Sequence, residues 1–413
     1  MSRCRSGVVP GIALMGVALV AIGCVDGAGD AAGEIVMDTL PNGAVRVQNP
    51  ETGLWDHEQR WHARLDLRIG AMEGDGPDLF GDVRGVTVDA AGRVYVLDGL
   101  AREVRVFDRS GGYLGTLGGA GAGPGEFTGP NGIAAGPDGT IWVSDPGGGR
   151  YSVFDTAGSY LRSFSRTVDG FGFHWEGVLD DRGRIMDPSR SANRTQLVRH
   201  DIIGDALVPV DSFPLPSASG PETTFQIDGE GGSRLFLSIP FAPGELWAYD
   251  GDDGLWIASG DHYRIYHRSF RGDTLRIVER ARSPDRVTEA DAQRAIEDQG
   301  GRERLGTDAI RELRSRIPDT KPHFSALLTD EQGFLWVARS APGVPGERSS
   351  SSQSVFDIFD PEGRFLGELE VPIGLRPLPR VVGTSLVGVL HDEFEVPHVV
   401  VYRLEGREEE VDP

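Results

Sequence analysis

Gly85-Val86-Thr87-Val88-Asp89-Ala90-Ala91-Gly92-Arg93-Val94-Tyr95-Val96-Leu97-Asp98 and Gly132-Ile133-Ala134-Ala135-Gly136-Pro137-Asp138-Gly139-Thr140-Ile141-Trp142-Val143-Ser144-Asp145 are two versions of one pattern, set about 47 residues apart. Each is a pair of short apolar runs around a turn. Each continues into a third run, Glu103–Asp108 or Tyr151–Asp155, then a turn at Ser110-Gly111-Gly112 or Ala157-Gly158. A fourth run follows, Tyr113–Leu117 or Tyr160–Phe164. Strands that are apolar on both faces belong between packed sheets. Asp-x-x-Gly and Asp-Gly supply the positive φ that a tight hairpin requires. A four-stranded unit of this length is one propeller blade. Because one blade cannot bury both its faces, copies must stack and close into a ring.

Weaker copies extend downstream. Gly177–Met186 opens a third blade that runs through Thr195–Arg199 to Val208–Phe213. Leu246–Asp250 and Gly254–Ala258 open a fourth, continued by Tyr263–His267 and Thr274–Val278. Phe324–Asp330 and Gly333–Val337 open a fifth, ending in Ser354–Asp360 and Phe365–Leu369. The last copy has three strands, Arg380–Gly383, Leu386–Leu390 and Val399–Leu404. Its missing strand is expected from Arg64–Ile69, where Leu65, Leu67 and Ile69 alternate with charged residues, so that the two ends of the chain lock the ring. The fold class is therefore all-β, a six-bladed β-propeller with a short helical insertion between blades 4 and 5. In that insertion, residues 284–322, helices are expected over Thr288–Gln299 and Thr307–Ile317, capped by Thr288 and Thr307 and stopped by Pro318. A pair of helices lying across one face of the ring is the expected placement.

The Pro130-Asn131-Gly132-Ile133 start, the Pro137-Asp138-Gly139 turn, the Val153-Phe154-Asp155 strand and the loop Gly121-Ala122-Gly123-Pro124-Gly125-Glu126-Phe127 resemble the NHL-type six-bladed propeller. Blades 1 and 2 carry the likeness closely and the others in outline. The resemblance implies a fold and not an activity.

Residues 1–23 read as a lipoprotein signal peptide. Arg3 and Arg5 form a basic start, Val8–Ile22 an apolar stretch, and Ala21-Ile22-Gly23-Cys24 resembles a bacterial lipobox. Lipidation of Cys24, palmitate included, is expected to anchor the chain in the cell envelope. Val25, rather than Asp, after the cysteine favours the outer membrane, facing the periplasm. Residues 24–60 are expected to be a tether, with some order around Ile35–Val47, and residues 61–413 the propeller. The formal charge of −22 repels polyanions, so nucleic acid is not an expected partner. Cys4 and Cys24 are the only cysteines, which leaves the propeller without disulfide or thiolate chemistry.

Propellers place functional side chains where the innermost strands begin, around the central channel. Aligning the blades puts Arg84, Asn131, Trp175, Leu246 and Ser325 at that mouth. The set is mixed, without a ring of carboxylates or imidazoles. Of these, Arg84, Asn131, Trp175 and Ser325 are the candidate contacts for a protein, peptide or glycan. His174, Glu245 and His323 lie nearby, and two imidazoles with a carboxylate could hold zinc. On that alternative the protein is a metal-dependent lyase or lactonase-type enzyme, as the precedents among related propellers imply. No Gly-x-Ser-x-Gly, His-Glu-x-x-His or phosphate-binding Gly-Lys-Ser/Thr occurs. The expectation is a monomeric, membrane-tethered binding or scaffold propeller without cofactor.

Overall fold

The computed structural model describes residues 33–166, 175–180, 182–191, 194–215, 223–228, 234–340 and 353–407. Among the described residues, six blades of four antiparallel strands each make up a six-bladed propeller. Blade 1 is Val83–Val88, Val94–Asp98, Glu103–Phe107 and Tyr113–Leu117; blade 2 is Gly132–Ala135, Ile141–Asp145, Arg150–Phe154 and Tyr160–Ser165. Blade 3 is Val178–Leu179, Ile185–Ser191, Arg194–Ile203 and Ala206–Pro214, and blade 4 is Glu245–Tyr249, Gly254–Ser259, Arg264–Ser269 and Thr274–Arg280. Blade 5 comprises Phe324–Thr329, Leu335–Arg339, Gln353–Phe359 and Phe365–Pro372. In blade 6, Arg380–Val382, Ser385–His391 and Pro397–Glu405 are completed by the early strand His62–Ile69. That strand runs antiparallel to Pro397–Glu405, with Ile69 opposite Val399 and His62 opposite Glu405. The ring closes as the alternation of Leu65, Leu67 and Ile69 implies.

One turn recurs because one side chain builds it. Asp89, Asp180 and Asp330 each accept, through Oδ1, the backbone N–H groups two and four residues on, at 2.8–3.0 Å. The glycine three places on sits at φ +77, +72 and +79 respectively. The carboxylate satisfies donors that the reversal would otherwise leave bare, and glycine accepts the left-handed geometry.

Among the described residues, six apolar clusters bridge the six junctions between neighbouring blades, including the junction of blades 6 and 1. Two junctions also carry a buried polar clamp. Between blades 2 and 3, Arg166 makes a two-pronged pair with Asp187 at 2.7 Å on each side, and the Tyr151 hydroxyl donates to the same carboxylate. Between blades 4 and 5, Arg280 pairs with Asp357 at 2.6 Å, and Tyr263 donates to it. Tyrosine opens or precedes the third strand and arginine ends the fourth in each case, so the clamp repeats with the blade.

Three expectations need correction. The segment expected as a tether is built into the fold from residue 33. Val36–Thr39 and Val45–Asn49 form a hairpin, and the second of these runs parallel to Thr274–Arg280, extending blade 4 to six strands. Alternate apolar residues at Val45 and Val47, the latter fully buried, supply the reason. Second, the second helical stretch starts earlier than expected. Helix α1 (Glu289–Asp298) starts at Thr288 with a complete capping box, as expected; α2 (Gly301–Arg316) breaks at Gly306, at φ +71 and ψ 167, and the helix expected from Thr307 follows that break. Third, the helices do not lie alone across a face. A hairpin of Thr224–Asp228 and Arg234–Ser238, in the connection between blades 3 and 4, shares a separate core with them through Phe225, Leu237, Ala292, Ala295 and Leu313.

Candidate functional site

The inner strand of each blade starts on one face of the ring, and chain order puts three kinds of connection there: those entering each inner strand, those between second and third strands, and both insertions. Arg84 and Ser325 stand at matching places. Pairing passes from Val83 to Gly85 and from Phe324 to Ala326, leaving each without an opposite residue. A bulge of this kind re-aims a side chain at a strand's end. Arg84 is half exposed and pairs with Asp82 at 2.6 Å. Ser325 is half-buried, and its hydroxyl donates to the Arg339 carbonyl at 3.4 Å. Asn131 is half-buried too, but it accepts from Ser144 at 2.9 Å and from Arg166, which ties it to the blade 2–3 clamp.

Trp175 is not a rim residue. It is 1% exposed, its Nε1–H donates to the Met186 carbonyl at 2.8 Å, and its ring meets Tyr151 edge-on at 5.1 Å. The physical reason lies two residues on. Gly177 takes φ +67, so the inner strand of blade 3 starts only at Val178 and the preceding residues turn off the strand path. A Cβ at Gly177 would sit 2.2 Å from the Ile133 carbonyl oxygen and 2.8 Å from Nη2 of Arg380. Only glycine fits that approach.

Those contacts expose a pair that the alignment missed. Arg380 opens the inner strand of blade 6, and Glu176 precedes that of blade 3. In a ring of six these blades face each other, so the guanidinium reaches across the channel. Both side chains are half-buried. Burial pushes the Glu176 carboxyl above the ordinary glutamate range, and the charge of Arg380 partly offsets it. Burial likewise draws Arg380 below its ordinary value, against the pull of Glu176. Among the described residues no ion pair within 4.0 Å joins the two. A partly buried cation thus stands in the channel with only a longer-range pull from Glu176, a place where an anionic group could be received. Arg380 was legible: a charge at the head of an inner strand, in the one blade the alignment omitted.

The rest of the face is divided. The insertions rise on either side of blade 4. The loops of blades 6 and 1 on this face carry exposed apolar side chains: Met72 and Leu79, Leu100 (72% exposed) and Phe394 (65% exposed). Large apolar groups gathered on one face are informative in a way that single ones are not.

Of the alternative zinc residues, Glu245 and His323 lie among the described residues. Glu245 is exposed at the head of blade 4. His323 is buried in the blade 4–5 junction, its N–H bonded to the Gly260 carbonyl at 2.9 Å and its ring edge-on to Tyr263. Burial, with Arg282 nearby, holds its imidazole below the usual histidine range. His174 and Cys24 lie outside the described residues.

A family model described as a 6-bladed β-propeller matches residues 77–169. No curated protein matches the sequence. Among solved structures, a Bacteroides fragilis protein taken to be exported is similar at 10% identity and TM-score 0.46, covering 87% of this chain and 99% of its own. Virginiamycin B lyase from Staphylococcus aureus is similar at 11% identity and TM-score 0.41, covering 84% and 100%. A gluconolactonase from Xanthomonas campestris is similar at 13% identity and TM-score 0.32, covering 79% and 86%. Likeness at this level concerns the ring of blades and transfers no residue role.

Proposed function

We propose that this is an exported propeller, held to the outer membrane by lipidated Cys24, that binds a protein or peptide on the channel-mouth face without catalysis. The observation that carries the reading is that Met72, Leu79, Leu100 and Phe394 are exposed on loops of blades 6 and 1 that belong to the channel-mouth face. Apolar anchors around a partly desolvated charge form the usual core of a recognition surface. Arg380, which Glu176 influences without a direct ion pair, would receive an anionic group of the partner. The anchor rests on the basic start, apolar stretch and Ala21–Cys24.

A photo-reactive residue at position 100 or 394, used in intact cells, should capture a discrete partner that the same residue at Gly139, in a turn of the other face, does not. With the photo-reactive residue moved to position 72, Leu100→Ser with Phe394→Ser should weaken capture about tenfold or more. Cys24→Ser should release the protein from membranes after a carbonate wash. Equal capture from both faces would remove the face assignment, and retention of the serine variant would remove the lipid anchor.

A further inference from the structure

We propose that the rim of the ring at blades 5 and 6 carries a second, separate binding site, a cavity that takes a neutral saccharide. The cavity is about 520 Å³, within the range of small-ligand pockets, and lies between residues 51–63 and the outer strand of blade 5. Its construction is specific. Leu54 and Trp55 donate backbone N–H groups to the Phe365 and Leu366 carbonyls at 3.1 and 2.7 Å, so the segment first runs along the strand edge. It then bows away and returns at Trp61, which is buried against Trp336 in the blade 5–6 junction. Gly367 makes room for the indole, since a Cβ there would meet Cε3 of Trp55 at 2.4 Å.

The lining selects the chemistry. Trp55 offers an aromatic wall, half-buried and bordering the cavity. Glu368 is held by Arg280 at 3.1 Å and Arg339 at 2.8 Å, and Glu370 by Gln353 at 2.8 Å, so both carboxylates are fixed with lone pairs to spare. Glu51, Arg60 and His62 border the same space, exposed, and no side-chain hydrogen bond or ion pair engages them among the described residues. Donors and acceptors of both signs around an indole do not suit a simple ion, which would meet like charge on one side. They suit a ring whose hydroxyls both give and accept hydrogen bonds and whose C–H face packs on an aromatic surface. A pyranose has those properties. None of these groups belongs to the channel mouth, so the site stands or falls apart from the partner-binding face.

The test is saturation-transfer NMR on the folded propeller with glucose, galactose, mannose, N-acetylglucosamine and their β-linked disaccharides, with acetate and methylammonium as charged probes. At least one sugar should bind saturably, with Kd of about 1 mM or below for the best disaccharide. Trp55→Ala should weaken that binding about tenfold and Trp55→Phe about threefold or less. Glu51→Gln and Arg60→Gln, both at the surface and harmless to the fold, should each weaken it, and Arg380→Gln should leave it unchanged. Absence of saturable binding across the panel, tighter binding of a charged probe than of any sugar, or wild-type affinity in a folded Trp55→Ala protein would overturn the proposal.

Discussion

Trp175 and Arg84 hold corresponding places at the heads of their inner strands, yet the ring uses them in opposite ways. Trp175 fills the space between blades 2 and 3, and its indole N–H is satisfied inside that space. Arg84 lies half exposed with its charge answered by Asp82. Trp175→Ala should therefore cost about 3–5 kcal/mol, read as a lower denaturant midpoint, while Arg84→Ala should change stability by about 0.5 kcal/mol or less. Equal, small effects would return Trp175 to the surface. Sequence alignment could not separate the two residues, because counting from the hairpin treats every inner strand as regular. What separates them is the positive φ of Gly177, and the signal for it was present only as a glycine among many. The same glycine, lacking a Cβ, leaves the space that Arg380 of blade 6 occupies, so one position bears on both a core residue and the chemistry of the mouth.

At the scale of elements, the insertions show which local signals suffice. Thr288 with Asp291 three residues on is a capping box in sequence and in structure, with Asp291 accepting from the Thr288 backbone at 2.9 Å. The hairpin of Thr224–Asp228 and Arg234–Ser238 gave no comparable signal, since it has no place in a blade and gains its burial only from helices about 70 residues away. Lys321, the only lysine in the chain, joins the two insertions. It is 4% exposed, pairs with Asp291 at 3.0 Å, and lies over Phe241, which holds an uncommon left-handed backbone at φ +59. Burial alone would raise the Asp291 carboxyl, but its bonds to Thr288 and Lys321 hold it below the usual range. Lys321→Met removes one partner and leaves a buried carboxylate short of its counter-charge, a costly change. Because this core is separate from the blade junctions, the loss should be local. Hydrogen exchange should quicken across 223–242 and 289–317 in that variant, with blades 1 and 2 protected as before. Uniform acceleration through the ring would mean that the insertions and the propeller unfold as one unit.

For the whole molecule, the two early segments make a controlled comparison. Blades 1 and 2 could be read almost residue by residue, and the closing strand followed from simple alternation at Leu65, Leu67 and Ile69. The hairpin at residues 36–49 could not, because its partner strand is about 230 residues away and parallel pairing leaves no local turn to betray it. Both segments add strands to an outer edge, but only one completes the ring. His62–Ile69 is the fourth strand of blade 6, and Leu67 and Ile69 also pack in the cluster that joins that blade to blade 1. Deleting Trp61–Gly70 would bare the edge of Pro397–Glu405 and open the blade 6–1 junction, exposing unpaired strand backbone and apolar surface together. Deleting 33–50 strips blade 4 back to four strands and leaves the six apolar clusters between blades whole, removing from the blade 4–5 junction only the bonds of Asn49 to Gly363 and Phe365. The first deletion should aggregate or lower the melting temperature by about 10 °C or more, and the second should lower it by no more than about half as much, since the loss scales with the contacts removed. Each is readable by a thermal scan with light scattering. If the two deletions prove equally damaging, the outer hairpin is part of what holds the ring shut, and closure is shared between blades 4 and 6 rather than sealed at one.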